Sequence, residues 1–394
     1  MRRLQEVREG CAIKRIGNLF SLICSKENCR AAILAAAEHK HSRTEVMDIL
    51  NNLDGKAAEL SEMLKTFSYK PSDYRLVIRI DGLNHKVRRI LVPRFWPDQC
   101  VQHALIDALR QPLLRRMYYW CSGSIRDRGT AQAKRGIERA TLHDQKHATY
   151  ALQMDVRQCY QNIGNDAMMA TLRRFIKDEK ALRLLETVVR SHTTLPIGNY
   201  SSPWFCNLYL TPLDRMITEV VKPRHYVRYM DDIVLIDSNK RKLRKGEALI
   251  RAHAQKMGLQ MHEGDGVFKV RRDGEAHPHD NRAIDFVGYR FSLGYTVLRR
   301  RNALRIMKQS RQLQRRIQEK KPINYKEASG FISRCAPSYK CSAYSFRKKY
   351  VYTVPIKRLK EVIRRESKCQ QQAHGPAQSG TAPAAAGPCD CNRD

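Results

Sequence analysis

The chain has 394 residues, enough for two or three domains at roughly 100 to 200 residues each. Lysine and arginine number 73 against 39 aspartates and glutamates, a formal net charge of +34, which argues against an ordinary small-metabolite enzyme and towards a polyanion such as nucleic acid. Hydrophobic residues make up 42%, which excludes a wholly disordered chain.

Residues 1–70 carry helical patterning, with Val46, Ile49, Leu50 and Leu53 and then Leu60, Met63 and Leu64 at helical spacing, and read as a helical N-terminal extension. From Tyr74 the texture changes to alternation through Leu76, Ile78 and Ile80. A turn at Asp81-Gly82 and a return strand over 87–92 predict a β-hairpin whose second arm carries Lys86, Arg88 and Arg89. Pro93 and Pro97 end it, and residues 101–119 predict a helix interrupted near Pro112.

Residues 151–294 alternate short apolar strands with helical stretches, an α+β texture, with candidate strands at 151–156, 225–230, 233–237 and 286–291. After Tyr295 the chain turns basic and helical: Ile306, Leu313 and Ile317 share one face, while Arg305, Lys308, Arg311, Arg315 and Arg316 crowd the rest, as suits a phosphate backbone. Residues 368–394 are rich in alanine, proline, glycine and glutamine, and are expected to be disordered. No internal repeat is visible.

The longest apolar stretch, residues 31–37, falls far short of the roughly 18 residues that a membrane span needs. The charged N-terminus has no secretory apolar segment, so no membrane association and a cytoplasmic location are expected. The twelve cysteines form no framework. Cys24 with Cys29 and Cys389 with Cys391 lack partners at zinc-site spacing, and all are read as reduced thiols.

Chemistry concentrates in the string Arg228-Tyr229-Met230-Asp231-Asp232-Ile233, two adjacent acids between β-prone runs, where a hairpin would present them at its tip. Neighbouring carboxylates repel, which suggests a cation there. Asp155 closes a separate apolar strand and is followed five residues on by Tyr160. If the two strands adjoin, Asp155 and Asp231 face each other and could hold two divalent ions about 4 Å apart, the arrangement for in-line phosphoryl transfer. Only hard oxygen ligands are on offer, which fits magnesium, with manganese as a substitute.

A third string, Leu195-Pro196-Ile197-Gly198-Asn199-Tyr200-Ser201-Ser202-Pro203, precedes Asn207 and Asp214. In order and spacing these three segments resemble the palm motifs of reverse transcriptases. Asp285-Phe286-Val287-Gly288-Tyr289 resembles their primer grip, and Lys86-Val87-Arg88 their basic fingers strand. The resemblance covers residues 71–295. It is closest to bacterial and phage retroelement enzymes of the diversity-generating type, through Gln102-His103-Ala104-Leu105 and through Ile197 where most relatives carry glutamine, although Ser202-Pro203 replaces the Ser-Gln typical of that group.

The resemblance implies a right-hand polymerase of α+β class: fingers at 71–150, a palm with an antiparallel sheet at 151–295 and a basic helical thumb at 296–367. The catalytic residues would be Asp155, Asp231 and Asp232, with Val156 joining them around the metal. Lys86, Arg88, Tyr160, Ile197 and Gly198 would bind the nucleotide. Ser202, Asn207, Tyr229, Gly288 and Tyr289 would address the template and primer. The implied partners are an RNA template, a DNA or RNA primer, deoxynucleoside triphosphates and a small helical accessory protein. Tyr160 would select against a ribose 2′-hydroxyl, and Ile197, lacking a hydrogen-bond donor, implies low fidelity. Tyr339, Tyr344, Phe346 and Tyr350, interleaved with Lys340, Arg347, Lys348 and Lys349, would grip an A-form duplex. The rival readings are a reverse transcriptase of a phage-defence system or group II intron, and an RNA-binding protein on a catalytically silent polymerase scaffold.

Overall fold

The structure, a computed structural model, describes residues 15–81, 86–264, 266–272 and 281–373. It divides into two compact units, one up to Tyr295 and one from Thr296 onward.

The first unit opens with helices Leu19–Ile23, Lys26–Ala37, Thr44–Asn51 and Leu53–Lys65. Cys29, Ala32, Ile33 and Ala36 form the buried face of the second, which packs on the later helix Cys100–Leu114. Between them lies an antiparallel hairpin, β1 (Arg75–Asp81) and β2 (Lys86–Val92), in which Arg79 stands opposite Arg88. The expected turn at Gly82 and the Lys86 side chain lie outside the described residues.

The central sheet is built on β3 (Tyr150–Arg157), which runs antiparallel to β5 (Asp232–Asp237); β5 in turn pairs with β4 (His225–Tyr229). On its other side β3 meets β6 (Gln260–Met261) and β7 (Val267–Val270), and β7 runs parallel to β8 (Asn281–Arg282). Side chains alternate across a strand. Leu152, Met154 and Val156 are therefore buried, while Gln153, Asp155 and Arg157 share the more open face. Helix Lys240–Lys256 packs against β3, β5, β6 and β7, and Gly129–Thr141 packs against β4.

Four expectations need correction. Residues 286–291 are a hairpin, β9 (Ile284–Phe286) and β10 (Tyr289–Ser292), because Val287 and Gly288 both take positive φ and reverse the chain. Asp155 lies within its strand, which continues to Arg157. The strand ending in the acid pair stops at Tyr229, one residue early, because Met230 has a φ of 58°. The helix expected to run on to Tyr119 includes Pro112 but ends at Leu114; the proline has no amide to offer the Ala108 carbonyl. Strands β6, β7 and β8 were not foreseen.

The second unit contains helices Arg300–Gln318, Tyr325–Cys335, Tyr344–Tyr350 and Ile356–Ala373, after β11 (Tyr295–Leu298) at the junction. Ile306, Ser310 and Leu313 form the buried stripe of the first helix, with Ile317 half-buried. A reciprocal capping box between Asn324 and Glu327 starts the second. The last helix extends to Ala373, so residues 368–373 are helical where disorder was expected; the rest of that tail lies outside the described residues. No helix of the described residues is long and apolar enough to cross a membrane, and Cys24, Cys29, Cys100, Cys121, Cys159, Cys206, Cys335 and Cys341 are free thiols.

Candidate active site

The acid pair sits where β4 turns into β5. Tyr229 and Asp232 are register partners, so Met230-Asp231 is a two-residue hairpin loop. Such loops favour glycine at a left-handed position, and placing methionine there costs about 1–2 kcal/mol. The surroundings over-determine it. The Met230 side chain is buried against Gly123, where any Cβ would collide with it, and the Met230 carbonyl accepts from Arg228 Nη1 at 2.8 Å.

Arg228 is fully buried and anchors this turn. Its Nε and Nη2 donate to the two oxygens of Asp214 at 2.7 and 2.6 Å, and Nη1 also donates to Asn207 Oδ1 at 2.9 Å. Tyr226 donates its hydroxyl to Asp214 as well, at 2.5 Å. Burial opposes the charge on Arg228, but the facing Asp214 carboxylate outweighs it and holds the guanidinium pKa well above its ordinary value. Asn207 Nδ2 donates to the Gly123 carbonyl at 2.8 Å. Neither Arg228 nor Gly123 was singled out from the sequence. The signal was present: an arginine inside an apolar strand needs a buried acid, and Asp214 follows Asn207 by seven residues.

The acids converge through strand register. Asp155 is the cross-strand partner of Asp232, and the Val156 amide donates to the Asp231 carbonyl at 3.3 Å. Directly opposite residues carry their side chains on one face of the sheet, which puts Asp155 and Asp232 together with the loop acid Asp231 beside them. Val156 offers only its main chain. The register thus sets Asp232, where Asp231 was expected, directly across from Asp155. Among the described residues, no group of three or more histidine, cysteine, aspartate or glutamate side chains is placed to hold a metal ion.

Other functional candidates surround this edge. Tyr160 follows on the short helix Cys159–Asn162 and is half-buried. Burial, the neighbouring Cys206 and Cys159 thiols, and the charges of Asp231 and Tyr229 raise its pKa. His262, missed from sequence, donates its amide to the Asp155 carbonyl at 2.8 Å, and its Nε2 lies 3.5 Å from Asp155 Oδ2. Gln153, also missed, shares the Asp155 face. Its amide group bonds both ways to the Asp285 main chain, at 3.0 and 3.2 Å, and so ties the β9–β10 hairpin to β3.

The Leu195–Ser202 string forms a loop docked on β2. The Leu91 amide donates to the Ile197 carbonyl at 2.7 Å, and Gly198 follows with a φ of 133°. Buried Gln102 receives the amides of Tyr200 and Ser201 at 2.8 and 3.4 Å, at the start of helix Ser201–Tyr209. His103 stacks on Tyr200 with centroids 3.7 Å apart, and burial lowers its pKa to about 4. Arg88 is exposed on β2 opposite Arg79.

Three residues expected to address the template and primer lie inside. Ser202, Asn207 and Tyr289 are 1%, 0% and 6% exposed. Ser202 and Asn207 belong to the buried helix Ser201–Tyr209, and Asn207 spends its side chain on Arg228 and Gly123, so it acts as framework. Tyr289 lies beneath Lys134 Nζ, 5.5 Å from its ring centre. Tyr229 is half-buried, and Gly288 occupies the β9–β10 turn with a φ of 88°.

A family model described as reverse transcriptase (RNA-dependent DNA polymerase) matches residues 82–291. No curated protein matches the chain. Among solved structures, telomerase from Candida albicans in complex with a TWJ fragment of telomeric RNA is similar at 12% identity and a TM-score of 0.43, over 77% of this chain and 55% of that one. Apo telomerase from Candida tropicalis is similar at 13% identity and a TM-score of 0.43, over 80% of this chain and 63% of that one. The chain therefore spans less than two thirds of these telomerase chains.

Proposed function

The chain belongs to the reverse transcriptase family, and from that premise we propose that it is an RNA-directed DNA polymerase, with fingers at 71–150, palm at 151–295 and thumb at 296–367. The observation that carries this reading is the β3–β5 register, which sets Asp155 across from Asp232 beside the Asp231 turn. Extension of a DNA primer on an RNA template by the purified chain tests it.

The donor set fits a hard divalent cation such as magnesium, which is commonly held by one or two carboxylates plus substrate phosphates, with no closed protein cage. Asp155, Asp231 and Asp232 would hold it. When bound, such ions ease deprotonation of the primer 3′-hydroxyl and offset charge on the triphosphate and departing pyrophosphate. The protein supplies position. The Arg228–Asp214 pair fixes the acid turn, and Gln153 fixes the β9–β10 hairpin that would meet the primer through Gly288. Arg88, with Lys86 on the same strand, would pair with the triphosphate.

Tyr160, on the short helix that follows β3, would underlie the sugar of the incoming nucleotide and exclude a 2′-hydroxyl. Tyr160→Ala is expected to reduce discrimination against ribonucleotides by about tenfold or more, measured as the ratio of kcat/KM values in primer extension. Undiminished discrimination removes that role.

The finer reading is a low-fidelity enzyme of a diversity-generating retroelement, served by a small helical accessory protein. Ile197 supports it: its carbonyl is committed to Leu91, and its aliphatic side chain has no donor to steady a base pair. Ile197→Gln is expected to lower misincorporation by about two- to tenfold, read by sequencing the cDNA. An unchanged error spectrum contradicts this.

A further inference from the structure

One surface of the second unit gathers three exposed tyrosines around a single arginine. Tyr339, Tyr344 and Tyr352 are 52%, 65% and 49% exposed, although aromatic rings are ordinarily valuable core material. Arg347 is their hub. Its guanidinium carbon lies 5.3 Å from the Tyr339 ring centre and 6.0 Å from that of Tyr344, and its Nε donates to the Tyr352 hydroxyl at 3.1 Å. Its Nη1 donates to the Ser338 carbonyl, which fixes the hub to the main chain. The Tyr339 and Tyr352 rings stand 6.4 Å apart, inclined at 47°. A groove of about 530 Å³, lined by Leu298, Ala303, Ala343 and Phe346 among others, opens beside them.

The charge around this cluster has one sign. Residues 328–360 contain eight lysines and arginines and no aspartate or glutamate. Lysines alone would suffice to track a duplex backbone, and the bases of an A-form duplex are already stacked on one another and closed to a protein ring. Rings held in water beside cations are instead what unpaired bases use, since every base has a stacking face and every linkage a phosphate. An aromatic residue preorganised by Arg347 also loses little freedom when a base arrives.

We propose that Tyr339, Tyr344 and Tyr352, held by Arg347, form a stacking platform for unpaired bases of an RNA strand, distinct in kind from a duplex grip. The proposal rests on the polymerase reading only in taking RNA as the strand, and its test needs neither nucleotide nor metal.

The test is fluorescence anisotropy on the full chain with a labelled oligoadenylate of about 12 residues and a blunt RNA duplex of equal length, at about 0.3 M salt to suppress the phosphate contribution. Tyr339→Ala and Tyr344→Ala are each expected to weaken single-strand binding about fivefold or more, with duplex binding kept within about twofold and Tyr344→Trp restoring affinity. Tyr344 is largely exposed, so its replacement spares the fold. Wild-type single-strand affinity in both alanine variants overturns the proposal, and so does an equal loss on the duplex. Primer extension by the unaltered chain reports separately on the polymerase reading.

Discussion

Asp214→Ala is expected to destabilise the first unit by about 3–5 kcal/mol, the usual consequence of stranding a buried charge. Arg228 would keep its place with Nε unpaired and Nη2 left only its 3.4 Å bond to the Asn207 carbonyl, and Tyr226 would lose its acceptor as well. All three tryptophans, Trp96, Trp120 and Trp204, lie before Tyr295, so urea unfolding followed by their fluorescence reads this unit. A midpoint unchanged from wild type would contradict the account. The double variant Asp214→Leu with Arg228→Met separates stability from positioning. Replacing a buried ion pair by apolar side chains is often neutral, so most of the stability should return. Polymerase activity should not, because the Met230 carbonyl has lost the donor that holds the turn.

Gly198→Ala is expected to lower kcat/KM in primer extension by about 10²-fold, a size in keeping with displacement of a positioning element by about an ångström. A Cβ at this position would run into the carbonyl oxygen of Leu91, a backbone atom that cannot swing aside, and the φ of 133° is itself one that glycine alone adopts readily. The collision pushes the loop off β2 and breaks the Leu91-to-Ile197 bond, so the strand carrying Arg88 moves relative to the loop. The loss should fall on nucleotide KM and on turnover while the unfolding midpoint shifts little. Wild-type kinetics for this variant would show that the docking of loop on strand is irrelevant to the reaction.

Much of this site was legible in the chain before the fold was known. Alternation at Leu152, Met154 and Val156 revealed β3, and the doubled acid between β-prone runs revealed the hairpin, because both signals are local. What stayed hidden is long-range or irregular. The bond from Gln153 to Asp285 joins residues 132 positions apart, and nothing local in a glutamine declares it. Val287-Gly288 read as strand interior because an apolar residue before glycine fits a strand pattern, whereas the positive φ of both residues makes a turn. The family resemblance assigns Ser202 and Asn207 to the nucleic acid, yet the helix bearing them is buried on nearly every side. A buried polar group is spent on internal partners, and for Asn207 these are Arg228 and Gly123.

The most direct measurement is extension of a DNA primer on an RNA template with magnesium and deoxynucleoside triphosphates, comparing the wild-type chain with Asp231→Asn. The account predicts full-length cDNA from the wild type and a loss of about 10³-fold or more in the variant, because an amide cannot supply the charge that holds the cation. Undiminished synthesis by Asp231→Asn would contradict the claim that Asp155, Asp231 and Asp232 act together at this edge of the sheet.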